Sequence, residues 1–340
     1  MKNKLMYGAI SFIALSLFVA SSAYAEEELE ADPNDTTLTS TSSTLQPAAQ
    51  ATQTILATNA VFDRLASMNI GYPSDISGLS SGDEKMGVNL WAAPYLTFAK
   101  DTNSATAYDS DTQGIFFGAD YKVAPRLTAG LMLGVDHTEV DSQVNGGGAD
   151  TVGVTVAPYG RYMLNKTYAV DASMGYTNSS SDNDRIDAGT VVTGNSDVDR
   201  FFFSVGFNGN WWQDRWNFSG RVATSNSYDD SDAYTESNGT AVGSKSTSFG
   251  QVQVGGTASY YFENVRPWMS MTYAYDYNRK LPTVAATQQR PSDDRDQFVL
   301  GYGATLFNVG MVTADLSVKH TLFKEKYDNT NIGLSLSTSF

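Results

Sequence analysis

From residue 87 to the carboxy terminus, apolar and polar side chains alternate almost one for one. Successive residues of a pleated strand point to opposite faces, so strict alternation assigns one face to an apolar phase and the other to water. Ile115, Phe117, Ala119, Tyr121 and Val123 stand against Gly114, Gly118, Asp120 and Lys122, and Leu127, Ala129, Leu131, Leu133 and Val135 against Thr128, Gly130, Gly134 and Asp136. Met269, Met271, Tyr273, Tyr275 and Tyr277 oppose Ser270, Thr272 and Asp276, while Ala314, Leu316, Val318 and Leu322 oppose Thr313, Asp315, Ser317 and Lys319. The chain ends on the same pattern, with Ile332, Leu334, Leu336, Thr338 and Phe340 on one face and Gly333, Ser335, Ser337 and Ser339 on the other. A slip of one residue would drive the charged face into hydrocarbon, at roughly 2 to 4 kcal/mol for a Lys or Arg near the midplane, so register is tightly specified.

About twelve such segments are joined by eleven connections, five short and six long, in alternation. The short ones centre on Ala124-Pro125, Asn165-Lys166, Asp214-Arg215, Asn264-Val265 and Asn308-Val309, residues suited to tight hairpins. The long ones, 101–111, 139–150, 178–199, 226–245, 278–296 and 324–331, are polar and acidic and are expected to be loops. Short turns on one rim, long loops on the other and an even strand number define an all-β fold, a twelve-stranded antiparallel transmembrane β-barrel. Closure removes the strand edges that lipid cannot hydrogen-bond. Aromatic residues gather near the expected strand ends, Tyr121, Tyr162, Tyr168, Trp211, Trp216, Tyr260, Phe262 and Phe307 on the short-turn side and Tyr273, Tyr275, Tyr277 and Phe298 towards the other, as for two interfacial girdles.

Residues 1–25 read as a secretory signal: Lys2 and Lys4, an apolar run, and a small-x-small site that places cleavage between Ala25 and Glu26. The run falls short of the ~20 residues a spanning helix needs. The formal charge of −15 becomes −17 once Lys2 and Lys4 are removed, which argues against a nucleic-acid partner. There is no cysteine, and only His137 and His320 could act as imidazole bases or ligands. Both share parity with outward positions near strand ends, so an interfacial role is expected, with no catalytic residue, no metal site, no cofactor and no enzymatic activity.

Residues 26–44 are acidic and rich in Ser and Thr and are expected to form a disordered tail. Within 45–86, residues 45–69 predict a helix, with Pro47 early and Ile55, Leu56, Phe62 and Leu65 near a 3.6-residue period, followed by a Gly-, Pro- and Ser-rich linker. Three placements are open to such a helix: inside the lumen, on the periplasmic side, or only partly formed. Seven charges share the inward parity: Asp120, Arg161, Asp171, Arg221, Asp276, Asp315 and Lys319. They could line a pore, grip the helix, or simply neutralise one another as internal ion pairs. Two acidic runs, Asp229-Asp230-Ser231-Asp232 and Asp293-Asp294-Arg295-Asp296, read as solvated loops and fit no EF-hand spacing.

Several stretches carry a resemblance to a known family: 87–95 (GVNLWAAPY), 108–122 (YDSDTQGIFFGADYK), 127–140 (LTAGLMLGVDHTEV), 159–176, 256–277 with its ENVRPW turn, and the terminal Phe340. In this order they resemble the autotransporter β-domain, the translocator barrel of type V secretion, across 87–340. The resemblance implies a helix threaded through the lumen, location in the outer membrane of a Gram-negative bacterium with loops at the cell surface, and a monomer. It also implies partners: outer-membrane lipid and lipopolysaccharide, periplasmic chaperones, and the barrel-assembly machinery reading a carboxy-terminal signal made by Phe340, Leu336 and Leu334. Family passengers run to hundreds of residues, whereas 26–44 alone precede the candidate helix, so a transport or secretion role with little or no cargo is expected. Self-cleaving members commonly cut between adjacent Asn residues; here Asn59 is followed by Ala60, and no autoproteolysis is expected. The alternatives are a small-solute porin, or an adhesin or binding protein acting through loops 178–199 and 226–245.

Overall fold

The computed structural model describes residues 40–103, 106–279, 292–309 and 312–339, apart from 69–86. The signal segment, its cleavage site at Ala25 and Glu26, the linker and Phe340 lie outside the described residues. One helix, α1 (Thr41–Met68), precedes the strands β1 (Val88–Asp101), β2 (Tyr108–Ala124), β3 (Leu127–Ser142), β4 (Gly148–Met163), β5 (Tyr168–Asp187), β6 (Thr190–Gln213) and β7 (Trp216–Ser231). A two-residue hairpin, β8 (Tyr234–Thr235) and β9 (Ala241–Val242), is followed by β10 (Lys245–Tyr260), β11 (Val265–Arg279), β12 (Asp296–Val309), β13 (Val312–Leu322) and β14 (Tyr327–Ser339).

Twelve of these strands close into an antiparallel barrel, with β1 paired to β14 from Asn89 opposite Ser339 to Asp101 opposite Tyr327. The parity is as the alternation requires: Leu131, Leu133, Val154, Met174, Met269 and Leu316 are exposed on the outer surface, while Phe116, Met132, Phe202 and Asp120 are buried within. Proline, which has no N–H to give a ladder, falls where pairing is interrupted. Pro94 sits in the gap of the β1–β14 ladder between Ala92 and Tyr95, and Pro158 in the gap of the β4–β5 ladder between Val156 and Tyr159.

Five of the long connections are shorter than the sequence suggests. The expected loop 178–199 is almost entirely strand: β5 and β6 stay paired to Asp187 opposite Thr190, and only Ala188 and Gly189 turn the chain, both at positive φ (48° and 81°) as two-residue hairpins favour. Likewise β3 and β4 remain paired to Asp141 opposite Gly148, β2 begins at Tyr108, and β13 and β14 leave only 323–326 between them. In the loop 226–245, β7 continues to Ser231 and the β8–β9 hairpin occupies the rest. Polarity at these positions marks the exit from lipid and not from the sheet. About 9–11 residues span the hydrocarbon, so β5 with 20 and β6 with 24 project well past it. The helix also begins at Thr41, inside the stretch expected to be a tail. One aromatic leaves the girdle: Phe307 is buried inside, stacked on Tyr261 at 5.7 Å.

The outer surface sets a measurable depth profile. Leu131, mid-way along the apolar face of β3, is exposed and flanked by Pro158 and Ala119. Leu131→Lys is expected to cost about 2–4 kcal/mol in reversible urea unfolding from lipid vesicles, and Val123→Lys, beside the β2–β3 turn, only about 0–1 kcal/mol. Equal costs at the two depths would contradict the placement of the apolar band.

Candidate functional site

The lumen holds α1, and its residues explain why. Gln50, Thr54, Thr58, Val61 and Leu65 recur at helical spacing on one stripe and are all buried. The upper part of the stripe is polar and the lower part apolar. Gln50 accepts from Thr247 Oγ1 at 2.8 Å, Thr54 Oγ1 donates to Ser227 Oγ at 2.9 Å, and Ser225 Oγ donates to Thr58 Oγ1 at 3.2 Å. Ala57, Val61 and Leu65 then pack into a cluster with Trp91, Phe116, Met132, Ala157, Tyr159 and Phe202 from the wall. Inward glycines make room for those rings: a Cβ on Gly130 would lie 2.3 Å from Tyr159 Cζ, and one on Gly175 2.2 Å from Phe202 Cζ.

The two helix ends are held by different chemistry. At the amino end, Thr41 Oγ1 donates to the Asp184 carbonyl at 2.7 Å and accepts from Asn145 Nδ2 at 2.8 Å, both on the long-strand rim. At the carboxy end the last carbonyls of a helix lack intrahelical partners and carry partial negative charge. The last turn holds no basic residue; the barrel supplies one, since Arg161 donates to the Leu65 carbonyl. Arg161 is fixed in turn by Asp171, with Nε and Nη2 each 2.5 Å from a carboxylate oxygen.

The seven inward charges are all placed on the lumen face. Asp120 accepts from Arg64 Nε at 2.9 Å, from Asn89 at 2.8 Å and from Tyr159, whose hydroxyl also accepts from Trp91 Nε1 at 2.7 Å. Asp171 accepts additionally from Asn208 at 2.8 Å. Arg221 lies 4.8 Å over the Phe62 ring, donates to Asn59 at 3.3 Å and stands 3.9 Å from Asp63. Lys319 pairs with Asp63. Asp276 takes Gln251 at 2.7 Å and Lys324 at 3.3 Å, and Asp315 accepts from Trp268 Nε1 at 3.1 Å and from Thr305. Asp120, Arg161, Arg221 and Lys319 therefore touch the helix, whereas the Asp171, Asp276 and Asp315 carboxylates are satisfied by the wall.

Other members of the site were not singled out from the sequence. The helix contributes Arg64, Asp63 and Gln53, which receives Arg200 Nη1 at 2.6 Å. Arg200 is locked to Asp229 by two bonds of 2.9 and 2.7 Å, so Asp229 is a buried lumen carboxylate and not part of a solvated loop. The parity of Arg200 with Phe202 and Ser204 was a readable signal, lost because the strand was expected to begin at that point. Above the helix, Glu236 of the β8–β9 hairpin is buried against Arg185 at 2.7 Å.

The helix does not fill the lumen. It packs mainly on β3 to β7 and β10, and a cavity of about 420 Å³ remains towards the far wall, lined by Lys319, Asp315, Trp268, Lys324 and Asn331 among others.

The autotransporter beta-domain family matches this chain over residues 90–337. The chain belongs to that family. The translocator domain of the autotransporter NalP from Neisseria meningitidis superposes with a TM-score of 0.70 at 13% identity, covering 87% of this chain and 99% of that one. The β domain of the Bordetella autotransporter BrkA gives 0.62 at 16% identity over 74% and 99%, and the transport unit of AIDA-I from Escherichia coli 0.55 at 15% over 83% and 98%. No curated protein matches in sequence. This autotransporter β-domain is thus a translocator barrel with its amino-terminal helix inside, of a secretion family and not an enzyme family, whose relatives reside in the outer membrane.

In this autotransporter barrel, the buried Arg161–Asp171 pair of the wall also holds the carboxy end of α1, through the Leu65 carbonyl. Arg161→Ala leaves a buried carboxylate uncompensated and is expected to cost about 3–5 kcal/mol in urea unfolding, whereas a double Arg161→Met, Asp171→Leu change costs far less. A single change as mild as the double one would contradict a buried, mutually compensated pair.

Proposed function

We propose that this β-domain inserts in the outer membrane with its long-strand rim at the cell surface, moves its own amino-terminal segment outward through the lumen, and then retains α1 as a plug. The observation that carries this is the direction of the helix. Thr41 lies at the long-strand rim beside Asp184 and Asn145, and Leu65 at the short-turn end beside Arg161, where β1 also starts with Val88 opposite Tyr121. A helix that runs down the lumen towards the first strand has its own upstream end, at Thr41, on the far rim. Insertion through the barrel-assembly machinery, with Leu334, Leu336 and Phe340 as the signal it reads and periplasmic chaperones escorting the chain, accords with the exposed Leu334 of the last strand. Lipopolysaccharide is then the lipid in contact with the outer rim, and no catalytic step is assigned.

An epitope placed between Asp35 and Ser40 is expected to be labelled by antibody on intact cells. Labelling only after the outer membrane is permeabilised would reverse the topology and sink the proposal.

The cavity beside α1 favours one subsidiary activity, slow passage of small hydrophilic solutes. Its walls carry both signs of charge, from Lys319 and Lys324 to Asp276 and Asp315, so discrimination by charge should be weak. In planar bilayers the intact protein should show small conductance steps, and an Asp120→Asn, Asp63→Asn variant that loosens α1 should show larger or more frequent ones. Silence from both would remove conduction from the function.

A further inference from the structure

A row of four carboxylates crosses the outer surface of the barrel just above the apolar band. Pairing sets Asp111 opposite Glu139, Glu139 opposite Asp150 and Asp150 opposite Asp182, on β2, β3, β4 and β5 in turn. All four are exposed, and among the described residues none pairs with a lysine or arginine. Like charges directly opposite one another on neighbouring strands are destabilising, so the row asks for a cation. One imidazole stands beside it. His137, two residues before Glu139 on the same face of β3, points Nε2 at Asp150 Oδ1 at 2.8 Å. Ligand atoms of His137, Glu139 and Asp150 all lie within 4.8 Å of one another.

We propose that His137, Glu139 and Asp150 form a binding site for a divalent transition-metal ion such as Zn²⁺ on the outer rim of the barrel. The imidazole decides the class of ion: Ca²⁺ and Mg²⁺ take oxygen ligands, whereas a nitrogen donor suits zinc and its neighbours. Three protein ligands, one nitrogen and two carboxylate oxygens, leave the fourth tetrahedral position of a zinc ion to water, as zinc sites with three protein ligands do. Gln113 completes the set. Its amide faces His137 Nδ1 at 3.4 Å; turned over, its oxygen accepts the Nδ1–H and frees the Nε2 lone pair for the metal, the outer-shell contact that orients a ligating histidine. Asp111 and Asp182, at either end of the row, add negative charge that holds the cation without binding it. Ile115, Val135 and Val154, two steps below the row on the same face, are exposed to lipid, which places the ion at headgroup level.

The test uses the full folded barrel in detergent micelles, without any histidine tag, titrated with Zn²⁺ against a chromophoric zinc indicator in excess Mg²⁺. One Zn²⁺ per chain is expected, weakened at least about tenfold by His137→Gln and by either Glu139→Gln or Asp150→Asn, and unchanged by His320→Gln. With Cu²⁺ as probe, electron paramagnetic resonance should show a single nitrogen donor that vanishes in His137→Gln. All four positions face outward, and the heat-modifiable migration of the folded barrel reports whether each variant is intact; a variant that fails it leaves the other two and the copper signal to decide. Absence of saturable one-to-one binding, equal affinity in His137→Gln, or displacement of Zn²⁺ by Mg²⁺ at comparable concentration would overturn the site, the last by showing a hard-cation row that ignores the imidazole.

Discussion

A membrane offers no water to an unpaired peptide group, and from that constraint the rest of this molecule follows. Each backbone N–H and C=O in the hydrocarbon must find a partner within the protein, which a strand can do only between two neighbours. Twelve strands meet the condition by closing β1 on β14. Once the cylinder is closed its outer side chains must be apolar, its inner ones are free to be polar, and the one-for-one alternation in the chain is the consequence.

Closure creates a second problem inside. A lumen lined by Asp120, Arg161, Asp171, Arg200, Asp229 and Asp276 encloses charges that cannot stay unpaired. The wall solves part of it by pairing across neighbouring strands, as Arg161 does with Asp171 and Arg200 with Asp229. The helix solves much of the remainder, bringing Arg64 to Asp120 and Asp63 to Lys319 and lending a carbonyl to Arg161. These contacts also hold α1 in one orientation, with the apolar cluster around Val61 and Leu65 fixing its depth. The same interactions that quiet the lumen therefore plug it, and the off-centre seat of the helix leaves the remaining space on one side.

Function and stability are thus coupled through a small set of residues. The contacts that seat the helix are hydrogen bonds and ion pairs together with the apolar cluster around Val61 and Leu65, and each needs a partner from α1. The rim is governed separately. Beyond the lipid the strands continue as paired, polar extensions, so the outer surface there is rigid sheet, and residues two apart on one strand are held beside residues of the next. That rigidity is what assembles His137, Glu139 and Asp150.

Alternation alone determined the strand number, the inward and outward faces, the short-turn rim and the closed barrel, because side-chain period and lipid solvation are local properties written residue by residue. The parity of Asp120, Arg161, Asp171, Arg221, Asp276, Asp315 and Lys319 was legible for the same reason. Loop lengths were misread at 178–199 and 139–150, since polar composition looks alike whether a segment is free loop or paired sheet outside the membrane. Partners were not legible at all. Which carboxylate faces Arg161 or Arg200, which wall α1 leans on, and which two carboxylates meet beside His137 are set by strand register and helix placement, and these depend on contacts between residues up to 256 positions apart, such as Asp63 and Lys319. Only the folded cylinder brings such residues together.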